Sequence, residues 1–143
     1  MNMIIQTIDE EFSVCKVADY GGIDLSAPFV FTGSTDEEKS LVCPVRLVPD
    51  NTLDREDGWR AFRIEGTLDF SLIGILADLS RILAEGKVGI FAISTFNTDY
   101  ILTRSEDFVR AVTMLVQAGY PVQQQGISFE TESNSLLLDQ IIQ

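Results

Sequence analysis

Between Trp59 and Val122 the apolar residues switch repeatedly between a period of two and a period near 3.6. This alternation restricts the fold more than any other feature of the chain. Trp59, Ala61, Phe62 and Ile64 are set against Arg60, Arg63 and Glu65, which reads as a strand over 59–65. Gly66 to Phe70 reads as a loop. Leu72, Leu76, Leu79 and Leu83 then form the stripe of an amphipathic helix over 71–85, with Asp69 or Ser71 as its cap and Gly86 just past its end. Val88 to Ser94 is apolar on both faces, as a central strand buried on two sides would be. Asn97 marks a tight turn into a strand over 99–103. Ser105 is placed to cap a second helix, which carries Glu106 and Asp107 in its first turn and Phe108, Val112, Leu115 and Val116 on its buried face. Gly119 stops that helix and Pro121-Val122 opens a last strand. The order β-α-β-β-α-β is the split arrangement of ferredoxin-like α+β domains, in which the first and third strands are central and the second and fourth lie at the edges.

The first half has fewer helix signals. Phe12–Val17, Phe29–Thr32 and Leu41–Val45 read as strands, and 35–39 as no more than about a turn of helix. Pro49 to Gly58 is polar, with Pro and Gly at its ends, and reads as a surface linker. The expected division is therefore 1–58, 59–126 and a tail at 127–143. Leu137, Leu138, Ile141 and Ile142 give the tail a helical stripe, to be docked on its own domain or offered to a partner.

Composition removes several functions. The 22 acidic residues against 10 basic ones leave a net charge of −12, which repels phosphates and argues against a nucleic-acid or anionic-membrane partner. The chain has no His, so it lacks the commonest general base, the usual nucleophile pairs and imidazole metal sites. Cys15 and Cys43 lie too far apart for a zinc or redox motif, and each sits in an apolar run that suits a buried thiol. The carboxylate clusters at 9–11, 36–38 and 54–57 fall in loops or at element ends and read as solvated charge. The N-terminal residues resemble no signal peptide, and no apolar run is long enough to span a membrane. A cytoplasmic protein without enzymatic activity, metal or cofactor is expected.

Two segments carry more polar chemistry than their local structure needs. The run Ser94-Thr95-Phe96-Asn97-Thr98-Asp99 places hydroxyls, an amide and a carboxylate around one turn, where Asn97 alone would serve. Asp99 either caps the turn locally or accepts a ligand ammonium. Glu65-Gly66-Thr67-Leu68-Asp69 joins the first strand to the first helix, where Gly66 permits close backbone approach and unpaired helix-start N–H groups can accept a carboxylate. Adjacent acceptors for an ammonium and a carboxylate are what an α-amino acid requires.

These residues carry a resemblance. Gly58-Trp59-Arg60-Ala61-Phe62-Arg63-Ile64-Glu65-Gly66, then Gly74-Ile75-Leu76-Ala77, then Ile90 to Leu102, resemble small bacterial tandem ACT-domain proteins. That family is related to the regulatory domains of aspartokinase and to the eukaryotic cytosolic arginine sensor. Thr35-Asp36-Glu37 and Ser40-Leu41-Val42-Cys43-Pro44 match its first, reduced ACT-like unit, expected to pack against the second. The resemblance implies an amino acid bound at an ACT interface, with backbone contacts from Gly66, Thr67 and Leu68 and side-chain contacts from Ser94, Thr95, Phe96 and Asp99. It also implies a homodimer or larger homo-oligomer. The expected function is a sensor or regulatory module for an amino acid. The alternatives are a ligand-free protein-interaction module and, more remotely, a thiol switch at Cys43.

Overall fold

The computed structural model describes residues 3–66, 74–124 and 127–129. In chain order it contains β1 (Met3–Val17), β2 (Phe31–Ser34), β3 (Lys39–Pro44), a 3-10 turn (Val45–Leu47) and β4 (Thr52–Gly66). There follow α1 (Ile75–Glu85), β5 (Ile90–Ser94), β6 (Asp99–Arg104), α2 (Ser105–Gln117), β7 (Val122–Gln124) and β8 (Ile127–Phe129). The chain forms two compact units, Met1–Asp9 with Arg60–Gln143, and Glu10–Trp59. Both boundaries fall inside the 15-residue strands β1 and β4, so each unit contains part of each.

The larger unit has the expected α+β order, β4-α1-β5-β6-α2-β7. Its sheet runs β5-β6-β4-β1-β7-β8, which departs from the simple ferredoxin-like order at one place. The start of β1 lies between β4 and β7, pairing in parallel with β7 through Ile5↔Val122 and Thr7↔Gln124. Buried Met3, Ile5 and Thr7 alternate there with half-buried Ile4 and Gln6, a strand period that the opening residues carry but that does not name its partner.

One face of β4 supplies Phe62 and Ile64 to the core, while Arg63 and Glu65 alternate on the other face and pair at 2.7 Å. Helix α1 buries Ile75, Leu79, Ile82 and Leu83, with Leu76 half-buried at the edge of the stripe. Leu72 and the proposed caps Asp69 and Ser71 lie outside the described residues. Helix α2 buries Phe108, Ala111, Val112, Leu115 and Val116. Ser105 is its first helical residue and makes no capping bond; Glu106 and Asp107 instead place charge of the favourable sign in the first turn.

Gly119 ends α2 in the left-handed region, φ +100°. Its N–H donates to Val116 and the Tyr120 N–H to Leu115, each at 3.0 Å, which satisfies carbonyls the helix would otherwise leave bare. Gly119→Ala is expected to destabilise the protein by about 1–2 kcal/mol, read as a lower urea midpoint at unchanged slope. The same motif closes α1 without glycine at the left-handed position: Lys87 occupies it, φ 61°, and Gly86 has φ −85°. A Cβ at Gly86 would instead meet the end of the flexible Met114 side chain, which would have to shift to admit it.

The Tyr120 hydroxyl donates to the Asp78 carboxylate on α1, which also pairs with Arg81 at 2.9 Å. Burial first, then the bond to Asp78, pushes the Tyr120 phenol up from an ordinary 10.0 to about 12. The folded value lies above the unfolded one, so this contribution to stability is complete below about pH 10 and is lost as pH climbs through about 12. A tyrosinate absorbance titration is expected to show a late component that Tyr120→Phe removes. Its survival in the variant would assign it to another tyrosine.

Val88–Ser94 is not a central strand. β5 covers only Ile90–Ser94, ends the strand path beside β6, and none of its side chains is fully buried. A continuous apolar run fits an edge strand equally well when its faces are half-covered.

In the smaller unit β2 and β3 form a hairpin, Phe31↔Val42 to Ser34↔Lys39, and β3 pairs β1 from Phe12↔Pro44 to Lys16↔Ser40. Residues 35–38 form a turn rather than helix: the Thr35 hydroxyl accepts the Glu37 and Glu38 N–H groups at 3.2 Å. Cys15, Val17, Ile23, Leu41 and Cys43 form the core of this unit. Residues 52–58 belong to β4 and do not make a linker. They are largely exposed and polar, and are tied by the Ser13 hydroxyl to the Glu56 carbonyl and by the Gly58 N–H to Glu11 at 2.9 Å. Backbone pairing has overridden a composition that disfavours strand.

Candidate functional site

The β5–β6 hairpin is held by its own hydroxyl groups. Ser94 pairs with Asp99 across the ladder and donates to Asp99 Oδ1 at 2.6 Å. The Thr95 N–H and hydroxyl both donate to the Thr98 carbonyl at 2.8 Å. The Thr98 hydroxyl donates to the Ile64 carbonyl and so ties the turn to β4. Among the described residues, Asp99 Oδ2 and the Asn97 side-chain amide take no part in these bonds. Phe96 stands at the tip, fully exposed.

This turn walls a cavity of about 190 Å3. Thr95 to Asp99 line one side; Ile64 of β4 and Ile75 and Leu76 at the start of α1 line the other. Among the described residues no side chain caps the start of α1, and Ile75 and Leu76 of its first turn line the cavity. A carboxylate, the first turn of α1 and an apolar wall therefore border one small space.

Of the residues picked from sequence, Thr95, Phe96 and Asp99 line the cavity together, and Ser94 stands behind Asp99 as its hydrogen-bond donor. Gly66 ends β4 two residues beyond Ile64. Thr67 and Leu68 lie outside the described residues. Sequence reasoning missed Ile64, Ile75, Leu76, Asn97 and Thr98 as lining residues. Thr98 and Asn97 sat within the marked run. The three aliphatic residues carry only a core signal, which does not distinguish a wall from an interior.

The remaining candidates for chemistry are weaker. Burial, and then the neighbouring Cys15, pushes the Cys43 thiol up to about 11, so little reactive thiolate forms near neutrality. Cys15 is buried beside the Ser13 hydroxyl at 3.3 Å. Among the described residues no acidic, Cys or His cluster is arranged to hold a metal, and no helix is long and apolar enough to cross a membrane.

Fold and site together define the class: an α+β module of ferredoxin-like order with a small cavity where a strand–turn–strand meets a helix start. Residues 54–117 match the ACT domain family model. A crystal structure of a protein from Agobacterium tumefaciens is similar at a TM-score of 0.77 and 26% identity, over 87% of this chain and 95% of that one. A protein of unknown function from Vibrio cholerae, described as a possible transport protein, is similar at 0.63 and 19%, over 81% and 89%. The aspartate kinase of Clostridium acetobutylicum, described as an allosteric enzyme, is similar at 0.56 and 15%, over 77% of this chain and 32% of that one. The last two likenesses concern the fold alone. No curated protein matches the sequence.

Proposed function

We propose that the protein is a non-enzymatic sensor that binds an α-amino acid in the hairpin cavity of its ACT domain. The observation that carries this reading is Asp99, whose second carboxylate oxygen accepts no bond among the described residues, in a cavity also bordered by the start of α1. Asp99 takes the ligand ammonium through a charge-assisted hydrogen bond, and the α1 amides take its carboxylate. Phe96, fully exposed at the rim, and the outer edge of β5 supply the surface for a second copy, so that the site completes at a homodimer interface. Regulation then requires the ligand to favour one arrangement of copies over another.

The test is a thermal-shift screen against the twenty common amino acids. A ligand at about 100 times its Kd adds about 2.7 kcal/mol, a rise of several degrees. A shift confined to one or a few amino acids supports the sensor. The same exposed Phe96 and β5 edge favour a second reading, an interaction module without ligand; self-association with no shift for any amino acid would select it.

A further inference from the structure

Resting on that reading, we infer that Tyr120 is a positioning residue for the hairpin cavity: through Asp78 it holds the first turn of α1 where Ile75 and Leu76 form the cavity wall. Leu76 and Asp78 are two residues apart, about 200° around the helix, and so lie on opposite flanks of that turn. Leu76 lines the hairpin cavity. Asp78 borders a second cavity of about 400 Å3, lined also by Met3 and by Ala118 to Pro121. Among the described residues, the seat of this turn between the two cavities rests on Ile75 and Leu79 in the core and on the bond from the Tyr120 hydroxyl to Asp78. Arg81 pairs with Asp78 as well, but it lies on the same helix and moves with it. Tyr120 stands at a fixed corner. It is 8% exposed, its N–H donates to the Leu115 carbonyl of α2 at 3.0 Å, and the next carbonyl, of Pro121, accepts the Ile5 N–H of β1 at 2.8 Å. Both α2 and β1 thus anchor the hydroxyl that reaches α1. A wall already held in place costs no ordering when an amino acid binds, so release of the contact is read as weaker binding.

Calorimetric titration with an equimolar mixture of the twenty common amino acids tests this, at a temperature where every variant is folded. Tyr120→Phe keeps the buried ring and removes the hydroxyl, and is expected to raise the half-saturating concentration about three- to tenfold. Asp78→Ala should match it. Asp78→Asn retains an oxygen to accept the Tyr120 hydroxyl, and should stay within about twofold of the natural value. Combining Tyr120→Phe with Asp78→Ala should weaken binding no more than either change alone, because both remove the same contact. Arg81→Ala breaks only ion pairs within α1 and should leave binding unchanged. Natural binding by Tyr120→Phe, additive losses in the double variant, or equal weakening by Arg81→Ala would each overturn the positioning role and leave the sensor reading standing. No response of the natural protein to the mixture overturns the sensor reading, and this inference with it.

Discussion

Asp99→Ala is expected to abolish the rise in melting temperature that an amino acid produces, while the free protein melts close to its natural temperature. A hydrogen bond to a charged group contributes about 1.5–3 kcal/mol, so losing the ammonium partner weakens binding by at least tenfold and up to more than a hundredfold. After a hundredfold loss, a ligand concentration that added about 2.7 kcal/mol adds only about 0.4 kcal/mol. The fold should tolerate the change, because the only bond Asp99 accepts among the described residues comes from the neighbouring Ser94 hydroxyl. Asp99→Asn retains an acceptor for Ser94 and removes the charge, so it should mimic the alanine variant in binding and the natural chain in stability. A full ligand response in both variants would sink the assignment. Unfolding of the alanine variant alone would return Asp99 to the role of turn cap.

Phe108→Ala is expected to cost about 3–5 kcal/mol. Phe108 is 1% exposed in the first turn of α2, and the Arg60 guanidinium lies 4.5 Å above its ring. Truncation therefore empties the core and leaves a cation without its aromatic face, a loss added to the cavity term. Domains of this kind are stable by about 5–15 kcal/mol in total, so the variant should melt some 10–20 °C lower. Urea unfolding followed by circular dichroism measures it. A loss below about 1 kcal/mol would mean that the surroundings of Phe108 collapse to fill the space.

The two predictions differ in how far ahead of the structure they were visible. Phe108, Val112, Leu115 and Val116 recur at helical spacing after an acidic first turn, and all four are buried as that spacing requires. Gly119 announces the end of the same helix and adopts the positive φ that favours glycine. The Ser94–Asp99 run is equally local: a short segment oversupplied with hydroxyls and a carboxylate folds back on itself, and its hydrogen bonds close within the hairpin and to β4. The walls opposite were not legible. Ile64, Ile75 and Leu76 look like any other apolar positions in a strand and a helix, and only their arrival beside Thr95 and Asp99 makes them part of a cavity.

Sequence alone determined the order of elements from β4 to β7, because periodicity, helix stops and turn residues act over a few neighbouring positions. Only the tertiary structure decided which strands meet. It set the start of β1 between β4 and β7, put apolar β5 at an edge, and drew the polar residues 52–58 into β4. The physical reason is that strand partners are joined through backbone N–H and C=O groups, which every residue but proline carries alike. Side-chain pattern specifies which face of a strand is buried; it does not name the distant strand that will lie alongside.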